Sequence, residues 1–317
     1  MTILASGSKG NATVIAAGAT RVLVDAGLSC RELLRRMAAV GEDPADLSAI
    51  LITHEHIDHV AGLAVLARRL RIPVFFTEPT HRAWARSLTP RTTMSYTKWL
   101  ELQQSQKAAR EAEMEEGAVQ TITAVAELET EQQIPSGDDN QKSKSDPAAL
   151  PAVEYFRAGH GFSIGELDIQ PFTIPHDAAD PCGFVFHARS ESLRMAIATD
   201  LGYIPPNVKQ ALREVDVLLL ESNHDLEMLK DGPYPWSVKQ RVLSRVGHLS
   251  NTAAAEFLLR DYDGGAHTIV LGHLSEQNNL PELARLAAEQ AIAGRMSLLG
   301  NRLLLARQDA PLDPICL

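Results

Sequence analysis

Apolar residues in the first hundred positions follow two periods, one typical of strands and one typical of helices. Ser29 and Gly41 flank the first helical run, and these are residue types that cap the two ends of a helix. This part of the chain is therefore predicted to alternate strands and helices. Apolar runs of strand length occur at 20–25, 47–53 and 73–77, and helical spacing occurs at 31–40 and 60–70.

The strand pattern resumes after residue 153, again with helical runs between the strands. Strand runs with interspersed helices in both parts of the chain predict an α/β fold of two sheets covered by helices. The strand runs lie at 167–175, 183–187, 195–199, 217–221 and 267–271, and the helical runs at 237–246, 252–262 and 281–293.

The composition changes between these two parts, at about 98–151. Residues 101–150 contain eleven acidic and four basic residues, a balance of −7 within a net charge of −10 for the chain. The charged, Ala- and Gln-rich residues 101–116 predict an exposed helix, and 132–146 have almost no apolar residue, which predicts disorder. Because the patterns after this segment complete those before it, we interpret 1–317 as one domain with an acidic, partly disordered insertion.

Composition and charge otherwise suit a globular protein, with 45% hydrophobic and 22% charged residues. Cys30, Cys182 and Cys316 form no CxxC pair, which argues against a cysteine-based zinc site and suits a reducing cytoplasm. No signal peptide or membrane span is expected, because no apolar window has the required length. The acidity belongs mainly to the insertion and therefore does not exclude a phosphate-bearing substrate.

The most informative stretch is His54-Glu55-His56-Ile57-Asp58-His59, directly after an apolar strand run. Residues at i and i+2 of an extended segment point the same way, so His54 and His56 can share one metal ion. The chain then turns into a helix, and this turn lets Asp58 and His59 face a second ion. Imidazole and carboxylate ligands suit zinc, and also manganese or iron.

Further candidate ligands follow later strand runs. His176, Asp200 and His273 each come directly after an apolar run. One such residue alone is often a capping or surface group. The occurrence of such a residue at the ends of three strands indicates that all three residues belong to one site.

Taken in order, these motifs resemble the metallo-β-lactamase-fold hydrolases. The matching features are Asp25 at a strand end, the segment THEHIDH at 53–59, and then His176, Asp200 and His273. The resemblance covers nearly the whole chain outside the insertion. It implies a four-layer αββα sandwich with the site at one edge.

The resemblance also implies a set of metal ligands and two divalent ions, Zn²⁺ or Mn²⁺. Asp200 would bridge the ions, and Asp25 would orient the cluster without binding metal. Three side chains would hold each ion: His54, His56 and His176 for one, and Asp58, His59 and His273 for the other.

Other segments look like the WalJ (YycJ) group of this family, which is linked to 5′-to-3′ exonuclease action on DNA. The resemblance therefore implies a phosphodiesterase, a DNA exonuclease above all, that uses a hydroxide bridging two metal ions. Hydrolysis of a small cyclic phosphodiester, thioester or lactam at the same site is one alternative, and a non-catalytic metal-binding regulatory protein is another. The segments are LASGSKGN at 4–11, PHDAADP at 175–181, ESNHD at 221–225, GPYPW at 232–236 and GHLSN at 247–251.

Four residues are expected to act in the reaction. Asp58 and Asp200 would do so through the metals, while His224 and His248 are candidate proton donors or phosphate contacts. His248 precedes a helix capped by Ser250 or Asn251, where free N–H groups favour a phosphate. A hydrogen bond to a nearby loop is the alternative role for each histidine.

Two further motifs have both a functional and a structural interpretation. The loop at 6–11 can cradle a phosphate with its N–H groups or form a tight turn between two strands. Tyr234 and Trp236 can stack on a base. Aromatic residues flanked by proline more often pack a loop onto the core, so packing is the expectation here.

Overall fold

Six strands from the first part of the chain lie in sequence order in one mixed sheet. The first three pair antiparallel, and the third to sixth pair in parallel. The computed structural model describes residues 1–88, 147–293 and 302–317. The strands are β1 (Thr2–Ala5), β2 (Ala12–Ala17), β3 (Thr20–Val24), β4 (Leu47–Leu51), β5 (Val74–Phe76) and β6 (Val153–Tyr155).

Seven strands form the second sheet, also in sequence order. Its first four strands pair antiparallel and its last four in parallel. The strands are β7 (Phe162–Ile164), β8 (Leu167–Thr173), β9 (Cys182–Ala188), β10 (Leu193–Ala198), β11 (Val217–Glu221), β12 (Thr268–Gly272) and β13 (Arg302–Leu305).

Helices connect most of the parallel strands, as parallel pairing requires long crossovers. A short 3₁₀ helix at Pro44–Asp46 precedes β4. The α-helices are α1 (Cys30–Ala39), α2 (Ile57–Val60), α3 (Leu63–Leu70), α4 (Glu78–Leu88), α5 (Pro206–Ala211), α6 (Leu226–Asp231), α7 (Trp236–Val242), α8 (Asn251–Arg260) and α9 (Pro281–Ile292).

Three apolar clusters show how the layers stack. The middle cluster lies between the sheets and joins residues such as Ile15 and Phe184. A second cluster packs the outer face of the first sheet against α1, α3 and α4. A third packs the outer face of the second sheet against α5, α8 and α9. The order of layers is therefore αββα, which confirms the predicted fold class.

Helix α1 shows how local sequence sets an element boundary. The Ser29 side chain accepts a hydrogen bond from the backbone N–H of Glu32 at 3.3 Å and so caps the first turn. Gly41 follows the last turn with φ of +77°, a conformation that glycine adopts readily. Leu33 and Met37, four residues apart, are fully buried against the sheet.

Some predicted elements differ from those observed. The run at 60–70 is not one helix: α2 ends at Val60, α3 begins at Leu63, and Gly62 between them passes close to the backbone of Leu28. A Cβ on Gly62 would lie 2.1 Å from the Leu28 carbonyl oxygen. The predicted helix at 237–246 ends earlier, at Val242. Helices α4, α5 and α6 and strands β7 and β13 were among the elements not predicted.

The predicted insertion lies outside the described residues except for 147–151, where Ala148 and Leu150 pack partly buried against the outer core of the first sheet. The exposed helix predicted at 101–116 and the disorder predicted at 132–146 also lie outside them. Met1–Leu88 and Pro147–Leu317 form one compact unit. Among the helices described, none combines the length and the apolar character needed to cross a membrane.

Candidate metal centre

Strands of both sheets end at one edge of the sandwich, and ionisable residues stand at those ends. Asp25 follows β3, and His54 lies just beyond β4. In the second sheet Asp200 lies just beyond β10, Glu221 ends β11 and His273 follows β12. Each of the five is at most 3% exposed. So many charged groups shielded from water need partners to balance them.

Three imidazoles form one side of this cluster. His54, His56 and His176 each offer a ligand atom, and these atoms lie within 4.8 Å of one another. Nε2 of His176 is 3.2 Å from Nδ1 of His56. The ring of His54 lies 4.6 Å from the ring of His56 and 5.0 Å from that of His176, measured between centroids. This spacing suits three nitrogen ligands around one cation.

A second set of side chains lies beside the first. Asp58 Oδ2 is 3.5 Å from Nε2 of His59 and 3.6 Å from Nε2 of His273. Asp200 Oδ2 is 3.4 Å from the same nitrogen of His59. Asp200 also groups with His54 and His59 within ligand distance of one another. Asp200 therefore lies between the two sets.

Four imidazoles share one arrangement, in which Nδ1 lies against an oxygen atom. In a neutral ring, a donor bond from Nδ1–H leaves Nε2 with a free lone pair, which is how metal-binding histidines are usually held. The contacts are His54 with Thr53 Oγ1 at 3.0 Å, His59 with Asp25 Oδ2 at 2.8 Å, His176 with the Gly247 carbonyl at 3.2 Å and His273 with Glu221 Oε1 at 3.0 Å.

Three buried atoms in this cluster have no hydrogen-bond partner among the described residues: His54 Nε2, Asp200 Oδ2 and His273 Nε2. A buried polar atom without a partner is destabilising. A bound cation would satisfy all three, because each is a nitrogen or carboxylate oxygen of the kind that divalent metals bind. The residues therefore fit a divalent metal site.

The charge states of Asp200 and His54 also suit metal binding. Burial acts to raise the pKa of Asp200, but His273 and His59 hold it well below its ordinary value. Burial, reinforced by the nearby His59, lowers the pKa of His54 well below its ordinary value. For His59, burial acts to lower the pKa, but the carboxylates of Asp200 and Asp25 raise it well above its ordinary value. A metal ion would displace the proton that His59 then carries.

Asp25 orients two of the imidazoles from outside the cluster. Its Oδ2 accepts from Nδ1 of His59 at 2.8 Å, and its Oδ1 accepts from the backbone N–H of Thr53 at 2.9 Å. The Thr53 hydroxyl donates to Asp25 Oδ2 at 2.9 Å and lies 3.0 Å from Nδ1 of His54. One carboxylate therefore aligns His59 directly and His54 through Thr53.

Three of the strand-end residues have left-handed backbone conformations. The φ angles are +61° at Asp25, +62° at Asp200 and +55° at His273. This conformation is uncommon for residues other than glycine and persists where surrounding contacts enforce it. At His273 the backbone N–H donates to Oγ of Ser6 at 2.8 Å. The backbone turns sharply at these points and so directs the side chains into the cluster.

Glu221 belongs to the centre, although it was predicted only as part of the motif at 221–225. Its Oε1 accepts from Nδ1 of His248 at 2.8 Å and from Nδ1 of His273 at 3.0 Å, and its Oε2 accepts from the Leu201 N–H at 2.7 Å. A sequence signal existed, because Glu221 is a lone acid at the end of the apolar run Val-Leu-Leu-Leu. It therefore follows the same strand-end pattern as Asp200 and His273.

Of the two histidines predicted as proton donors, the structure brings His248 into the cluster. Its ring centroid lies 5.1 Å from those of His176 and His273, and its side chain is 20% exposed. His224 is 1% exposed and belongs to none of the potential metal-binding groups found in the described residues. Burial lowers the pKa of His224 to about 4. Of the two histidines, His248 is therefore the one that lies beside the proposed ligands and is partly exposed.

The loop between β1 and β2 lies directly against the metal-binding segment. Nδ2 of Asn11 is 3.0 Å from Nε2 of His59, and the backbone N–H of Asn11 donates to the Asp58 carbonyl at 2.7 Å. The Asn11 side-chain oxygen accepts from the N–H of Gly7 at 2.9 Å. This geometry matches the tight-turn interpretation, and the loop supports Asp58 and His59.

A sequence profile described as the metallo-β-lactamase superfamily matches residues 5–273, a range that includes every member of the cluster. This chain belongs to the metallo-β-lactamase superfamily. The family predicted from the motifs is therefore confirmed.

Two relatives within the superfamily match nearly the whole chain. The exodeoxyribonuclease WalJ of Streptococcus pneumoniae is 33% identical over 291 residues, which cover 92% of this chain and 87% of WalJ. The exodeoxyribonuclease YycJ of Bacillus anthracis is 32% identical over 292 residues, with 92% and 88% covered. These matches confirm the resemblance to the WalJ (YycJ) group.

Solved structures of the metallo-β-lactamase superfamily share the fold. The metallo-β-lactamase fold protein YhfI from Bacillus subtilis superposes with a TM-score of 0.59 over 98% of both chains, at 14% identity. At that identity the match concerns the fold alone.

Proposed function

We propose that this protein is a metal-dependent exodeoxyribonuclease that degrades DNA from its 5′ end. The observation that carries the proposal is the arrangement of two adjacent sets of three metal-binding side chains, with Asp200 between them. The similarity to WalJ and YycJ over 92% of the chain supports DNA as the substrate.

In this proposal the centre holds two divalent ions, Mn²⁺ or Zn²⁺, which accept mixed nitrogen and oxygen ligands. Asp200 would be shared between them, since it groups with donors of both sets. Each ion would be held by three further side chains: His54, His56 and His176 for one, and Asp58, His59 and His273 for the other.

Two divalent ions in such a site supply an activated water and neutralise charge on the phosphate oxygens. The protein's own contribution is to keep their ligands in place before substrate arrives. Asp200 fixes the separation of the two ligand sets. Asp25 holds the ring of His59 and Glu221 holds that of His273, so the donor atoms need no rearrangement when DNA binds.

His248 is placed to protonate the oxygen that leaves the phosphate. Its Nδ1 is held by Glu221 Oε1 at 2.8 Å, which leaves Nε2 on the far side of the ring for a substrate. Burial acts to raise the pKa of Glu221, but His248 and His273 lower it below its ordinary value. The Glu221 carboxylate accepts from Nδ1–H and so fixes the orientation of the His248 ring, as a general acid requires.

Cleavage of labelled DNA tests the proposal directly. Purified protein with Mn²⁺ or Zn²⁺ is expected to release a 5′ label from single-stranded DNA as a mononucleotide and to shorten 3′-labelled DNA progressively. Treatment with EDTA should stop both reactions. If the protein hydrolyses a small cyclic phosphodiester, thioester or lactam but leaves every DNA intact, the small-molecule alternative replaces the nuclease. Inertness on all of these would contradict a hydrolase altogether.

Replacing His248 by alanine should lower kcat for DNA by a factor of about 10² to 10⁴, the usual contribution of a general acid. The loss should nearly vanish with bis(p-nitrophenyl) phosphate, because nitrophenolate leaves without being protonated. His224→Ala is a matched control and should keep kcat for DNA near the wild-type value. Equal losses on both substrates for His248→Ala would mean that His248 supports the metal ligands and donates no proton.

We further propose that the chain is a single superfamily domain interrupted by the acidic segment at about 98–151, which the continuous family match over 5–273 supports. We also place the protein in the cytoplasm. All three cysteines are free, and two of them, Cys30 and Cys182, are buried, as suits a reducing compartment.

A further inference from the structure

Helix α7 carries an unusual amount of exposed apolar surface. None of its residues is buried, and Trp236 at its first position is 67% exposed. Val238, Leu243 and Val246 are also exposed, so four of the twelve large exposed apolar residues found in the described ranges fall within eleven positions. The packing expected for Trp236 from its flanking prolines is therefore wrong. Concentrated apolar exposure of this kind marks a binding surface.

The charge of the same segment is opposite to that of the chain. Residues 232–250 include Lys239, Arg241 and Arg245 but no acidic residue, although the net charge of the chain is −10. All three basic side chains are at least partly exposed. We call residues 232–247 the α7 surface. Its positive charge is complementary to a polyanion such as DNA.

The α7 surface is continuous with the metal centre. The backbone N–H of Asp177, next to the proposed ligand His176, donates to the Val246 carbonyl at 3.1 Å. The Arg241 guanidinium forms a two-point ion pair with the Asp177 carboxylate. Trp236 lies five residues before Arg241, which is about 7.5 Å along a helix. These contacts place the α7 surface directly beside the segment that carries the proposed ligand His176.

We propose that the α7 surface binds single-stranded DNA beside the metal centre, with the exposed Trp236 ring stacked on a base and Lys239 and Arg245 in contact with phosphates. The inference rests on the proposed nuclease function. Arg245 lies over the ring of Tyr203, with Cζ 4.3 Å from its centroid, and this contact orients the guanidinium while leaving its edge free to donate. An exposed aromatic ring stacks most readily on an unpaired base, so the surface favours a single strand over a duplex.

The test separates binding of the strand from chemistry at the metals. Trp236→Ala should raise KM for a 5′-phosphorylated thirty-nucleotide single strand by about tenfold or more and leave kcat close to wild type. Its rate on bis(p-nitrophenyl) phosphate, which is too small to reach α7, should not change. Trp236→Phe keeps an aromatic face and should recover most of the affinity. Leu259→Ala, at another exposed apolar position on α8, is the matched control.

Salt dependence tests the phosphate contacts. Lys239→Ala and Arg245→Ala should each weaken binding of the single strand and reduce the slope of log affinity against log salt by about 0.7. Arg260→Ala, which removes an exposed arginine of α8 that pairs with Glu256, should leave the slope unchanged.

Each possible result of these experiments either supports or contradicts the inference. Wild-type cleavage of DNA with an unchanged KM in Trp236→Ala would overturn it and leave the nuclease function standing. Equal losses on DNA and on the small ester would also overturn it, because they would assign Trp236 a structural role. Failure of the wild type itself to cut DNA would refute the nuclease proposal, and the inference with it. A rise in KM confined to DNA and reversed by Trp236→Phe supports the inference.

Discussion

Asp200→Asn should reduce turnover of DNA by a factor of about 10³ or more, since the substitution removes a carboxylate that lies within ligand distance of donors from both sets. Asp200 is 2% exposed, and its oxygens lie 3.4 Å from His59 Nε2 and 3.3 Å from His273 Nδ1. Asparagine has nearly the same shape, so the fold should persist while metal affinity falls. Turnover of end-labelled DNA, metal content per chain and far-UV circular dichroism measure the three effects. His56→Ala should act in the same way.

The exposed Asp313→Asn makes the same chemical change far from the cluster in sequence and serves as the control. It should retain wild-type turnover and metal content. An Asp200→Asn protein with activity within tenfold of wild type would show that Asp200 does not bridge two catalytic ions. If Asp200→Asn lost the circular dichroism spectrum of the folded protein, the variant would be unfolded and could not test the role of Asp200. His56→Ala, which shortens a side chain at a partly exposed position, would then serve as the test of the metal centre.

Gly27→Ala is expected to destabilise the protein by about 3 kcal/mol or more and to lower its metal content. A Cβ on Gly27 would lie 1.6 Å from the carbonyl oxygen of Asp58 and 2.6 Å from the backbone nitrogen of Asn11. Both are backbone atoms, and they are joined by a 2.7 Å hydrogen bond. The methyl group must therefore displace the turn that carries Asp58 and His59.

Urea denaturation measures this prediction, with a lower midpoint at an unchanged slope as the expected result. Gly265→Ala is the matched control, because a Cβ there meets only the Asp263 carboxylate, at 3.3 Å or more. It should change the free energy of unfolding by less than about 1 kcal/mol. If Gly27→Ala were as stable as wild type and bound metal normally, the close approach at Gly27 would not constrain the centre.

The layered fold was predictable because its signals are local. Every residue of β11 (Val217–Glu221) and β12 (Thr268–Gly272) is buried. Central parallel strands of this kind therefore appear in the sequence as continuous apolar runs. The cap of α1 at Ser29 is likewise set within one turn. Helix 60–70 was predicted as one element because the break at Gly62 depends on Leu28, a contact that periodicity does not reveal.

Within the site, the predictable residues were those that directly follow an apolar strand run in the sequence. His176, Asp200 and His273 each follow an apolar run, and the structure brings them together with His54 and His59. The role of Glu221 could not be predicted, because its partners His248 and His273 are 27 and 52 residues away in the sequence. The exposure of Trp236 was missed for the same reason, since burial depends on which elements pack nearby.

The convergence of both sheets on one edge has a consequence for how the molecule is assembled. His54, His56, Asp58 and His59 follow β4 of the first sheet, whereas His176, Asp200 and His273 follow β8, β10 and β12 of the second. Each proposed ion thus takes two side chains from one sheet and one from the other, besides the shared carboxylate. The metals would link the two sheets at this edge of the sandwich. An isolated half-chain would therefore lack a complete binding site, and chelation would weaken the contact between the sheets before it disrupted either sheet.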